Sequence, residues 1–145
     1  MKDKKKFRMI TTIIAVVILF AWMFSWIQKQ NSGLENSEYF STEIVEAEVK
    51  NVIDLLDKED YEALQEISDD TMKEFLTPEV WGGAKVQFSE NWGALEKLGT
   101  IYLSEAEQDG VPMVGGQVKA TYENVKVTYT IVFDQEMQLA GLYIK

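Results

Sequence analysis

The chain contains neither histidine nor cysteine. Ser-His and Cys-His nucleophiles, His-ligated metal sites and disulfides are therefore excluded within one chain. Acid–base chemistry would have to run on carboxylates, tyrosines or lysines. Tyr102, Tyr122, Tyr129 and Tyr143 fall on segments that read as strands, and Glu90 and Glu96 on one that reads as a helix. None sits in a catalytic motif: tyrosines on strands ordinarily pack in cores and rims, and acids on helices face water. No catalytic residue is assigned.

The carboxylate clusters "DKED" (57–60) and "SDD" (68–70) are of the kind hard cations prefer. Neither has the ligand spacing and glycine of a calcium loop, so both read as helix caps and no metal site is assigned. The glycines of "EQDGVPMVGG" (107–116) do not join a strand to a helix, which argues for a hairpin and a bulge over a phosphate cradle. The sharper signal is aromatic. Trp81, Phe88 and Trp92 recur at helical spacing, as one wall of an apolar ligand pocket or as a plain core stripe.

The elements that position these residues follow from periodicity. From about Ser41 to Leu98 the apolar spacing is helical, and from Thr100 it alternates as strands do. Ser41 or Thr42 caps a helix with Val45, Val49, Val52, Ile53 and Leu56 on one stripe. "DKEDYEALQEI" and "SDDTMKEFL" predict two short helices, the second capped by Asp69 or Asp70. A fourth starts at "TPEVW", with Thr77 as cap and Pro78 in the first turn, and its apolar spacing carries it through Trp92 and Leu95 to a stop at Gly99. Gly82, Gly83 and Gly93 weaken it by up to ~1 kcal/mol each. Four strands follow, separated by turns at "EQDG", near "YENV" and at "DQEM". Val125, Val127, Tyr129, Ile131 and Phe133 share one strand face, and Lys126, Thr128 and Thr130 the other. Helices followed by a meander predict an α+β domain, with the helices packed across one face of a four-stranded antiparallel sheet.

Ahead of this domain, Met9–Ile27 is an uncharged run. At ~1.5 Å per residue it nearly spans a ~30 Å hydrocarbon core. It ends in bulky residues and not in an A-x-A cleavage pattern, so it reads as a retained anchor. Lys2, Lys4, Lys5, Lys6 and Arg8 precede it and only Lys29 follows closely, which predicts a cytoplasmic N-terminus and an extracytoplasmic domain. The expected organisation is a basic tail (1–8), a transmembrane helix (9–27), a linker (28–40) and a folded domain (41–145). Residues 31–145 hold eight basic and 23 acidic residues, a net charge of −15. A surface of that sign repels nucleic acid and anionic headgroups.

The segments "LLDKEDYEALQEISDDTMKEFL", "LTPEVWGGAKVQFSENWGALEKLGTIYLSE" and "VKVTYTIVFDQEMQLAGLYIK" resemble the bacterial family called domain of unknown function 3887, of the nuclear-transport-factor-2-like, or cystatin-like, fold. The likeness spans about residues 43–145. It implies a cone, in which a curved sheet wraps helices and leaves a cavity at its open end, and it implies no agreed activity. Tyr129, Phe133 and Tyr143 would then line that cavity from the sheet, opposite Trp81, Phe88 and Trp92. Enzymes of the wider superfamily can pair an acidic base with a Tyr donor in a dry pocket. The resulting expectation is a membrane-anchored extracytoplasmic module that binds a small apolar ligand or a protein partner, without a cofactor. A carboxylate/Tyr enzyme and a homodimeric assembly module are the alternatives.

Overall fold

The computed structural model describes residues 37–145. The expected tail, membrane segment and first part of the linker lie outside them. Among the described residues no helix is long and apolar enough to cross a membrane.

Helix α1 (Thr42–Asp57) buries Val45, Val49, Val52, Ile53 and Leu56 to 1% exposure or less, the stripe its spacing predicts. Each such side chain contributes about 1.5–3 kcal/mol on burial. Ser41 is the N-cap residue but its side chain makes no capping bond. Asp60 accepts from Ala63 N at the start of α2 (Tyr61–Glu66), and Asp69 from Met72 N at the start of α3 (Asp70–Lys73). Thr77 accepts from Val80 N to open α4 (Pro78–Val86), with Pro78 in the first turn. Each of these caps satisfies an amide that has no partner inside its helix.

Helix α4 is shorter than its apolar spacing predicts, ending at Val86. The carbonyl of Lys85 accepts from Ser89 N and, at 3.0 Å, from the indole Nε1 of Trp92. This helix-end carbonyl thus accepts local amides and a side-chain donor from the following loop, where the chain turns back without another turn of helix. Gly93 then takes φ 73°, where an added Cβ would lie 2.7 Å from Glu123 Cβ. Leu95–Leu98, expected as the helix end, is strand β1, so Glu96 stands on a strand and Glu90 in the preceding loop.

The sheet accordingly has five strands where four were expected. The four predicted are present: β2 (Tyr102–Gln108), β3 (Val111–Tyr122), β4 (Lys126–Phe133) and β5 (Leu139–Ile144). All pairings are antiparallel, in the order β1–β3–β4–β5, with β2 also on β3 and the sheet not closed. The long β3 therefore serves three partners, its first part facing β2 and its last part β1. Asp109 and Gly110, with φ of 54° and 78°, form the two-residue turn between β2 and β3. At the far edge, Ile67 and Asp69 exchange backbone hydrogen bonds with Leu139 and cover β5. Helix α1 crosses the sheet so closely that a Cβ on Gly116 would lie 2.7 Å from Val49 Cγ2.

Candidate ligand site beneath helix α4

Alternation along β3 and β4 sends Tyr122 and Tyr129 to the helix-covered face, and the return of the 87–94 loop brings Trp92 beside them. Trp81, from α4, stacks on Tyr129 at 6.4 Å and meets Trp92 edge-on at 6.1 Å. Trp92 in turn meets Tyr122 edge-on at 4.9 Å. Tyr129 is fully buried, and Tyr122, Trp81 and Trp92 are each 4% exposed. Such ring pairs add about 0.5–1.5 kcal/mol each beyond the area they bury.

A polar chain runs through these rings. Tyr122 OH donates to Asp57 Oδ1 at 2.6 Å, and the hydroxyls of Tyr122 and Tyr129 lie 2.7 Å apart. An ionised carboxylate only accepts. Tyr122 must therefore donate to Asp57, Tyr129 must donate to Tyr122, and the Tyr129 oxygen keeps unused acceptor capacity. Burial raises the pKa of both phenols, most strongly that of Tyr122, so neither ionises near neutrality.

Asp57 ends α1 and is exposed along its outer side while its carboxyl reaches Tyr122. Packing around that carboxyl raises its pKa, outweighing the Tyr122 hydrogen bond and the attraction of Lys85; Asp54 adds a smaller push in the same direction. An acid in the last turn of a helix also meets the negative end of the macrodipole. The Lys85 ammonium sits 5.1 Å over the Trp92 ring, a cation–π contact at the rim.

One donor in the cluster is unmet: Trp81 Nε1 is buried with no hydrogen-bond partner. The other unpartnered buried polar atom found among the described residues, Ser104 Oγ, belongs to β2 and pairs across to Gly115, away from the rings.

Of the six residues expected to line one pocket, the structure brings together Trp81, Trp92 and Tyr129. Phe88, 38% exposed, meets Trp92 edge-on at 6.4 Å on the outside of the group. Phe133 and Tyr143 do not join it. Phe133 shares the face of Tyr129 but lies four residues, about 13 Å, further along β4. Tyr143 pairs with Thr130, and directly opposed residues share a face, so it belongs to the opposite side of the sheet. The residues missing from the expectation are Asp57 and Tyr122. Asp57 had one signal, an acid where a helix end favours a cation.

One open cleft among the described residues lies elsewhere. Its volume is about 500 Å³, and it is lined by Glu46 and Lys50 of α1 and by Leu95–Ile101. Glu46, Lys50 and Asp57 share one flank of α1 by helical spacing, so the rim of the ring cluster and the cleft lie along the same side of that helix. Among the described residues no three or more acidic groups are placed to hold a metal ion.

A sheet of five antiparallel strands under short helices, with aromatic rings and a tyrosine–carboxylate chain between the layers, defines the class: an α+β domain with a ring-lined interior. The sequence matches, over residues 49–142, the family described as "Protein of unknown function (DUF3887)", and the chain belongs to it. An NMR structure of a protein from Ruminococcus gnavus ATCC 29149 is similar in fold, with a TM-score of 0.64 at 22% identity over 78% of this chain and 98% of that one. None of the curated proteins compared with the chain matches it.

Proposed function

We propose that the described domain is a non-catalytic small-ligand-binding module of the nuclear-transport-factor-2-like type, carried outside the cell by the segment 9–27 with the N-terminus in the cytoplasm. The observation that carries the binding reading is the Trp81 Nε1–H. A plain core leaves almost no buried donor unmet, whereas a ligand site sets a few polar groups in an apolar wall. Here the unmet donor belongs to a ring that meets Trp92 edge-on and stacks on Tyr129. The uncharged run behind five basic residues supports the anchor.

Native mass spectrometry of the full chain, released from detergent micelles, tests the reading. A co-purifying mass that disappears in Trp81→Ala or Trp92→Ala protein still folded by circular dichroism is expected. A clean dimer without an adduct would replace binding by self-assembly.

The Asp57–Tyr122 contact favours a second reading, carboxylate/Tyr acid–base chemistry, because the carboxyl is raised in pKa and adjoins a phenol. Against it, the Tyr122 hydroxyl is already engaged by both Asp57 and Tyr129, which leaves it no proton to offer a substrate.

A further inference from the structure

Trp81 is the one buried residue of helix α4, and the helix's own sequence weakens it. Gly82 and Gly83 lie mid-helix with no atom beyond their chain neighbours and the helix's own backbone within 4 Å of the place a Cβ would occupy, and neither has a positive φ. Neither packing nor backbone conformation requires glycine at either position, yet each weakens the helix relative to alanine. The side chain that pins the helix inward, Trp81, carries the unmet donor. At its C-terminal end the helix is tied by Trp92 Nε1 to the Lys85 carbonyl. Beneath it lies the Tyr122–Tyr129 pair, whose buried terminus, the Tyr129 oxygen, keeps acceptor capacity and whose other end reaches solvent through Asp57.

Resting on the binding reading above, we propose that α4 is a hinged cover, bending at Gly82–Gly83, and that the space it uncovers takes a planar aromatic ring bearing one hydrogen-bond acceptor. The faces of Trp81, Trp92 and Tyr129 supply the stacking surfaces, and the Trp81 Nε1–H supplies the donor that chooses among rings. A ring without an acceptor leaves that donor buried and unmet; a ring with one satisfies it. Local opening follows the regions with the fewest buried contacts and the weakest intrinsic helix.

The test uses the full chain in detergent micelles at pH 7, with quinoline as the acceptor-bearing ring and naphthalene as its hydrocarbon counterpart. Hydrogen exchange should show the α4 amides opening at least about 100-fold faster than those of β3 and β4. Quinoline should bind about tenfold more tightly than naphthalene, the value of one buried donor, and slow α4 exchange. Trp81→Phe should erase that preference, and the Gly82→Ala/Gly83→Ala variant, which leaves every ring in place, should slow α4 opening. Equal binding of the two probes to the native chain would overturn the acceptor role while leaving ring binding intact. Binding of neither would overturn the binding reading itself. Exchange of α4 as slow as that of the sheet, or unaltered by the two alanines, would overturn the hinge.

Discussion

Asp57, on the exposed end of α1, and Tyr122, buried at the end of β3, are joined by a 2.6 Å hydrogen bond across 65 residues of sequence. The bond explains how two phenols are kept inside an apolar layer. Tyr129 donates a hydrogen bond to Tyr122, Tyr122 donates one to Asp57, and the chain ends at a carboxylate that water can reach. It also explains an acid at a helix end that electrostatics alone would fill with a lysine.

The order of donation predicts an asymmetry between the two tyrosines. Tyr122→Phe leaves the fully buried Tyr129 hydroxyl without its acceptor and should cost about 1–3 kcal/mol. Tyr129→Phe removes only the terminal hydroxyl, leaves Tyr122 bonded to Asp57, and should cost less than about 1 kcal/mol. Urea denaturation of the two variants decides it; equal losses would remove the relay as an explanation.

Asp57 also predicts a pH dependence. Its pKa in the folded protein is raised above the ordinary 3.8, so the folded state holds that proton more tightly than the unfolded chain. The resulting stabilisation is fully present below pH ~3.8 and is lost as pH rises through the raised folded value. Relative to Asp57→Asn, the wild type should lose stability over that window and level off above it. Denaturation curves of both proteins from pH 3 to 8 give the difference, and a rise with pH would contradict it.

Two kinds of glycine should respond oppositely to alanine. Gly116→Ala forces a methyl to within 2.7 Å of Val49 Cγ2, where overpacking costs about 1–3 kcal/mol. Gly82→Ala and Gly83→Ala meet open space and should each stabilise by up to about 1 kcal/mol. Thermal melts of the single variants report the signs. A stabilised Gly116→Ala would mean that α1 shifts freely over the sheet.

The proposed topology predicts that a reporter fused after Lys145 is active when it is of the kind that works only outside the cytoplasm, and that deleting residues 9–27 removes the domain from the membrane fraction. Activity of a cytoplasm-only reporter at the same position would reverse the orientation.

Much of the fold was legible because its elements obey one period at a time. The α1 stripe, the caps at Asp69 and Thr77, and turns within 107–110 and 134–137 follow from local rules, and the structure contains each of them, whereas Ser41, expected with Thr42 as a cap, makes no capping bond. The error lay between Gln87 and Leu98. Trp92 and Leu95 continue the spacing of Trp81 and Ala84, but the contacts that give the spacing meaning are long-range: Trp92 reaches Trp81 and the Lys85 carbonyl from a loop, and Leu95 pairs with Tyr122. The ring cluster was half legible for the same reason. Aromatic residues announce themselves by type, whereas the Asp57–Tyr122 bond joins positions whose nearness only the folded sheet creates. Tyr143 was misplaced because the last strand alternates without a polar face, so parity along it could not be read.

The position of β3 sets an order of events during synthesis. Three strands pair with it and α1 packs on it, yet it ends at Tyr122, 65 residues after Asp57. At roughly 5–20 residues per second the ribosome takes about 3–13 s to cover that distance. For that interval the valine-rich side of α1 is complete as sequence and has no sheet to lie on. The nascent domain is a sticky amphipathic segment waiting for its partner, and its safest moment begins only when the third strand arrives.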